Sequence, residues 1–206
     1  SFSLHFYQAN RRDIHAPEAW DLTTGHPPPI VAVIDTGVLL DHPDLAGQFW
    51  TNPNEANGVA GIDDDGNGYV DDVRGWDFVS LGSESGVTSG EDWGDADPDP
   101  NDFAGHGSAV AGVIGARSNN TIGVTGTLWQ TLLMPLRIGW ATNVAPLGQV
   151  DMTYAAQAIH YAVSNGAAIL NCSFASIYQT DLAAALDDAY FGGVLIVASA
   201  GGSGTP

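Results

Sequence analysis

Ile30-Val31-Ala32-Val33-Ile34-Asp35-Thr36-Gly37 decides the fold of this chain. Five apolar residues in unbroken succession suit a parallel strand buried on both faces, not one that alternates between core and solvent. In open α/β sheets, functional groups collect where such strands end. Asp35 stands at that end, and Gly37 permits a tight exit turn. Taken alone, Asp35 reads equally well as an ordinary turn aspartate.

Outward from this strand, apolar runs predict further strands at 132–138, 168–172 and 194–199. Helical spacing predicts helices at 107–116, 152–165 and 181–191. In the second helix Met152, Ala155, Ala156, Ile159 and Val163 share a face, with Asp151 as N-cap and Gly166 just past the end. In the third, Leu182, Ala185, Leu186 and Ala189 do the same ahead of Gly192-Gly193. Alternation of this kind implies an α/β fold, a doubly wound and mainly parallel sheet with helices on both faces. The stretch from about Trp50 to Ala104 breaks the alternation and reads as a long surface excursion rich in Gly, Asp and Asn. No internal repeat is present.

Gly105-His106-Gly107-Ser108-Ala109-Val110-Ala111-Gly112 places a glycine-flanked histidine at the start of a small-residue helix. Small residues let that helix lie close to a sheet, and the glycines allow a neighbouring backbone or a substrate to approach. A buried carboxylate that holds one imidazole nitrogen leaves the other free to take a proton from a hydroxyl. A histidine in this position without such a partner is more often structural.

Ile-Asp-Thr-Gly followed by Gly-His-Gly, in that order, resembles the subtilisin-like serine proteases. Ala16-Pro17-Glu18-Ala19-Trp20 with Thr24-Gly25, and Asp41-His42-Pro43-Asp44-Leu45, extend the likeness. So do Asn165-Gly166-Ala167, Ile169 to Phe174, and Val194 to Gly201, each in the family's order. The resemblance implies a three-layer α/β/α fold and a serine endopeptidase, with Asp35 and His106 as two members of its triad. The whole chain then reads as the N-terminal part of one catalytic domain, with an insertion around 50–104. Ser173-Phe174-Ala175 occupies the place of the family's substrate-binding wall, with alanine where glycine is usual. Other departures are Phe103-Ala104 in place of an asparagine before the histidine, Ala109 in place of a second histidine, and Gly202 at the oxyanion asparagine.

The family's nucleophilic serine opens a helix on a Gly-Thr-Ser segment, and no such segment occurs in these 206 residues. Ser203 lies where the oxyanion region belongs. The expectation is therefore that a second polypeptide, or a further C-terminal portion, carries the serine. Two other readings stay open: a non-catalytic relative that binds peptide or protein, and a calcium-stabilised scaffold.

Asp63-Asp64-Asp65-Gly66-Asn67-Gly68-Tyr69-Val70-Asp71-Asp72 is the second informative stretch. Hard cations take six to eight oxygens, and Asp-x-Asp-x-Asn delivers side chains to one centre while glycine permits the turn. The first six positions match an EF-hand loop, but Arg74 stands at the twelfth, so this is not one. By resemblance to subtilisin-like enzymes with a similar insertion, the expected ion is calcium, held by Asp63, Asp65, Asn67, the Tyr69 carbonyl and Asp72. The acidic run from Glu91 to Asp102 lacks that spacing and reads as a solvated loop.

Net charge is −19, there is no lysine, and the cations are Arg11, Arg12, Arg74, Arg117 and Arg137. This argues against nucleic acid or an anionic membrane as partner and fits bound cations, high salt or a basic partner. No apolar run is long enough to span a bilayer. The one cysteine, Cys172, excludes an internal disulfide and reads as a small core residue. With the family resemblance, the expected location is extracellular and the expected substrate a peptide or protein.

Overall fold

The computed structural model describes residues 14–83, 86–143, 148–175 and 180–201. In chain order the elements are α1 (Ala16–Trp20), β1 (Ile30–Asp35), a single 3₁₀ turn (Pro43–Leu45), α2 (Pro53–Ala56) and β2 (Trp76–Asp77). Then come α3 (His106–Gly115), β3 (Leu132–Arg137), β4 (Gly139–Trp140) and β5 (Gln149–Val150). Last are α4 (Met152–Ser164), β6 (Ile169–Cys172), α5 (Thr180–Phe191) and β7 (Leu195–Ala198). The predicted strands and helices are all present, each within a residue or so of its expected limits.

Five strands form one parallel sheet in the order β2-β3-β1-β6-β7, and β4 and β5 make a separate antiparallel pair. The central strand is β1, flanked by β3 and β6, which is why it is apolar throughout. Side chains alternate along it. Ala32 and Ile34 enter the larger core with Met134, Leu136 and the inner faces of α4 and α5. Val33 turns the other way, toward Leu133 and Ala111 of α3. Helices thus cover both faces, as a doubly wound sheet requires.

Local signals explain the helix limits. The Asp151 carboxylate accepts from Thr153 N at 2.7 Å and Tyr154 N at 3.4 Å, capping α4. Gly166 follows its end with φ of 76°. Such a cap contributes about 1 kcal/mol. Cys172 is buried, and burial pushes its thiol up to about 12, the charge of Asp35 adding to the effect.

The excursion between Trp50 and Ala104 differs from the surface loop expected of it. It contributes β2 to the sheet edge and puts Trp50, Trp76 and Phe78 into the larger core. Tyr69 and Tyr161 pack edge-on against one another and against these rings. Burial of aromatic area outweighs the polar composition on which the loop expectation rested. The Glu91–Asp102 run is likewise not simply solvated. Glu91 is buried, because it meets a buried cation.

That cation is Arg137, at the carboxyl end of β3 and 0% exposed. Its guanidinium donates to Asp77 Oδ2, Glu91 Oε1 and the Asp92 carbonyl, and the Phe103 ring lies 5.7 Å away. The other Glu91 oxygen accepts from Ala141 N at 2.5 Å. One charge therefore ties β2, the acidic run and the approach to β5 to the end of the sheet. Removing one member of such a buried pair leaves the other charge uncompensated and costs about 3–5 kcal/mol. Arg137→Met is expected to lower Tm by roughly 6–20 °C, on a scale of about 2–4 °C per kcal/mol. A thermal melt that moves by under 2 °C, at the same protein concentration, would remove Arg137 from this role.

Candidate functional site

Asp35 and His106 come from opposite kinds of end, the carboxyl end of a strand and the first turn of a helix. Strand parity turns Asp35 to the same face as Val33, and that face is the one α3 covers. His106 Nδ1 lies 2.7 Å from Asp35 Oδ1. Two glycines make the approach possible. A Cβ on Gly107 would lie 2.0 Å from the Gly37 carbonyl oxygen, and one on Gly37 would lie 2.5 Å from that of Asn101.

The Asp35 side chain is 2% exposed and that of His106 36%. Thr36 N also donates to Asp35 Oδ1, at 2.7 Å, while Oδ2 is buried with no partner among the described residues. Burial raises the Asp35 carboxyl above the usual range, opposed by the hydrogen bonds from His106 and Thr36. With Nδ1 facing a carboxylate, the neutral imidazole keeps its proton there and presents Nε2 as acceptor. The pair can therefore take a proton from a hydroxyl and hold the resulting imidazolium.

Around the pair sits a set of groups that local sequence reasoning did not find. Asp102 Oδ1 accepts from Thr36 Oγ1 at 3.0 Å, Ala104 N at 3.1 Å and Gly105 N at 2.8 Å. Its Oδ2 accepts from Ser108 N at 2.8 Å and Ser108 Oγ at 2.7 Å. Thr36 Oγ1 in turn accepts from Gly107 N at 3.1 Å. The only sequence signal was an acid six residues before a serine at a helix start, which many helices carry.

Ser173, Phe174 and Ala175 follow β6 at the carboxyl edge of the sheet. Ser173 Oγ accepts from Asn171 Nδ2 at 2.9 Å, Phe174 packs against the larger core, and Ala175 is exposed beside Gly201. Gly202 and Ser203 lie outside the described residues.

The acidic stretch 63–72 folds into a turn with two distinct roles. Asp63 accepts from Gly66, Asn67 and Gly68 N, hydrogen bonds that lower its pKa, that from Gly68 most. Asp65 and Asp72 instead converge with Glu55 of α2, their oxygens within 4.8 Å of one another. Asn52 Nδ2 donates to both Asp65 and Asp72 at 2.8 Å, and Asn67 Nδ2 to Asp72 at 3.0 Å. Tyr161 also donates to Asp72, whose carboxyl burial holds above the usual range. Tyr69 N donates to Asn67 Oδ1 at 2.7 Å. Three carboxylates, two of them buried, make an oxygen set of the kind a hard cation takes. Glu55 was missed because it precedes the stretch and is delivered by a helix. A second acidic convergence joins Asp77, Asp92 and Asp97, with Asp77 also bound to Arg137. No helix among the described residues is long and apolar enough to cross a membrane.

Known proteins resemble this chain over most of its length. The model of the subtilase family (Peptidase_S8) matches residues 28–205. Subtilisin-like protease 1 of Plasmodium berghei (strain Anka) is 33% identical over 177 residues, 85% of this chain and 26% of its own length. Thermitase of Thermoactinomyces vulgaris is 30% identical over 198 residues, 96% of this chain and 55% of its own length. The crystal structure of fervidolysin from Fervidobacterium pennivorans, described as a keratinolytic enzyme related to subtilisin, superposes with a TM-score of 0.56 at 25% identity. That match covers 89% of this chain and 22% of the other. The chain thus spans from about a quarter to just over half the length of these curated relatives.

The raised Asp35 pKa has a sign that can be tested. The folded state holds this proton more tightly than the unfolded one. The stability it contributes is therefore full below the ordinary carboxylate pKa and is lost as pH rises through the raised value. Asp35→Asn is expected to raise Tm at pH 8 and to leave it nearly unchanged at pH 4, where the Asp35 carboxyl of the folded protein keeps its proton. A lower Tm at pH 8 would show that the hydrogen bonds to the carboxylate outweigh its burial.

Proposed function

The chain belongs to the subtilase family, and from that premise we propose that it provides the aspartate and histidine of a serine endopeptidase. The observation that carries this reading is the 2.7 Å contact between His106 Nδ1 and Asp35 Oδ1, which turns the second imidazole nitrogen away from the carboxylate. In this mechanism His106 Nε2 takes the proton of a serine hydroxyl as the oxygen attacks the scissile carbonyl. It then delivers that proton to the leaving amine, and water repeats the sequence on the acyl-enzyme. Asp35 keeps the imidazole oriented and offsets its positive charge. Ser173-Phe174-Ala175, on the same edge of the sheet, line the path of an extended peptide. An extracellular location belongs to the same proposal.

The serine is proposed to come from outside these 206 residues, on a second polypeptide or a further portion of the same one. The open flank of the sheet supports this. The outer edge of β7 has no partner strand among the described residues, and Tyr190, Phe191, Leu195 and Val197 are exposed beside it. An unpartnered strand edge with exposed apolar side chains near it is a surface that another polypeptide can cover.

The test uses native material containing this chain, a fluorogenic peptide and a serine-reactive fluorophosphonate. Cleavage and labelling of a serine outside the 206 residues are expected, and both are lost in His106→Ala. Cleavage that survives in His106→Ala would overturn the triad. Peptide binding with no cleavage and no labelling would replace it with the non-catalytic reading.

Calcium is proposed at Glu55, Asp65 and Asp72, with Asp63, Asn67 and the Tyr69 carbonyl completing the loop. When bound, the ion would neutralise converging carboxylates and hold the excursion against α4. A ligand at about a hundredfold its Kd stabilises by about 2.7 kcal/mol. Removing calcium with a strong chelator should therefore lower Tm by several degrees, and by much less in Asp72→Asn. An unchanged melt of the wild-type protein would dismiss the ion.

A further inference from the structure

Asp102 is tied to the residues that flank both members of the pair. On the strand side it accepts from Thr36, next to Asp35; on the helix side it accepts from Gly105, next to His106, and from Ser108. A plain helix cap needs only the second group of bonds. Gly105, at the N-cap position with φ of 86°, makes no side-chain cap of its own, so Asp102 fills that role. The bond to Thr36 is additional. Thr36 Oγ1 donates to Asp102 and accepts from Gly107 N, so one hydroxyl joins the exit of β1 to the first turn of α3 from both sides of His106. The chain separation between Thr36 and Asp102 is 66 residues, so nothing local accounts for the contact.

A hydrogen bond between a strand-end carboxylate and a helix-start imidazole depends on how two separate elements sit relative to each other. Val33, Leu133 and Ala111 set the spacing of α3 from the sheet, but apolar contacts are non-directional. They leave rotation and sliding of the first turn weakly fixed. Directed bonds restrict that freedom: two run through Thr36 Oγ1, next to the pair itself, and one from Leu39 N to Ser108 Oγ at 2.9 Å.

We propose that Thr36 Oγ1 and the Asp102 carboxylate form a positioning device that holds His106 with Nδ1 against Asp35. Neither group touches the reacting atoms. The inference rests on the reading of Asp35 and His106 as a proton-transfer pair, yet its readout does not require cleavage. The general precedent for a large effect is that displacements of about 1 Å at a catalytic pair cost on the order of a hundredfold in rate.

The experiment follows the His106 imidazole nitrogens by ¹⁵N–¹H correlation in histidine-labelled protein, assigned by the signal lost in His106→Gln. In wild-type protein at neutral pH a single Nδ1–H tautomer is expected. Thr36→Val, which keeps the size of the side chain and removes the hydroxyl, is expected to give mixed tautomers with an unchanged far-ultraviolet circular dichroism spectrum. Thr36→Ser restores the single form. Asp102→Asn, which retains one acceptor oxygen, is the second variant, expected to give mixed tautomers as well. A wild-type tautomer pattern in folded Thr36→Val, or mixed tautomers in the wild-type protein itself, overturns the proposal. If the variants behave as expected but native material cleaves no peptide, the positioning device stands and the protease reading falls.

Discussion

A single buried guanidinium organises the end of the sheet where the site lies. Arg137 is the register partner of both Asp35 on β1 and Asp77 on β2, so all three side chains leave the sheet on the face that α3 covers. A charge without water must be surrounded by acceptors, and Arg137 gathers Asp77, Glu91 and a carbonyl from segments far apart in the chain. The acidic run is thereby fastened to β2 and to the carboxyl end of β3, next to Asp35 on β1. Phe103, three residues before His106, lies over the same cation. In a chain with net charge −19, Arg137 is the one buried cation among the described residues, and it decides where Asp77 and Glu91 go.

The second constraint is steric. Asp35 reaches His106 because a strand with a two-residue period and a helix with a glycine-rich first turn meet almost in backbone contact. Ala111, on the next turn of α3, continues that close packing against Val33 and Leu133. Larger residues along this line would move the helix outward and lengthen the contact between Asp35 and His106. Smallness here serves geometry, while core burial is carried mostly by the opposite face, where Met134, Leu136, Ile159 and Tyr161 lie.

What the sequence disclosed and what it withheld follow from the range of the forces involved. The apolar run 30–34, the Asp151 cap and the helical face of Met152 to Val163 are local patterns, and each element formed where its pattern lies. Asp35 and His106 were legible because motif and order mark them. The Asp63–Asp72 turn was legible as a turn, but its convergence with Glu55 depends on where α2 packs. Glu91 looked like a solvated acid because nothing near it in sequence announces Arg137, 46 residues away. Thr36 and Asp102 were hidden in the same way. Both oversights concern polar pairs formed only after the sheet and helices have assembled, and no periodicity encodes them.

The open edge of β7 has a colloidal consequence. Along Leu195–Ala198 the outer edge has no strand partner among the described residues and offers a template for any extended segment, another copy of the same edge included. Twenty-four acidic side chains against five cations give every copy a strong like charge, which keeps such edges apart at neutral pH. Salt screens that repulsion and acid removes it, while neither closes the edge. The acidity of the chain thus acts as a guard on a strand edge that has no partner among the described residues until the proposed further polypeptide covers it.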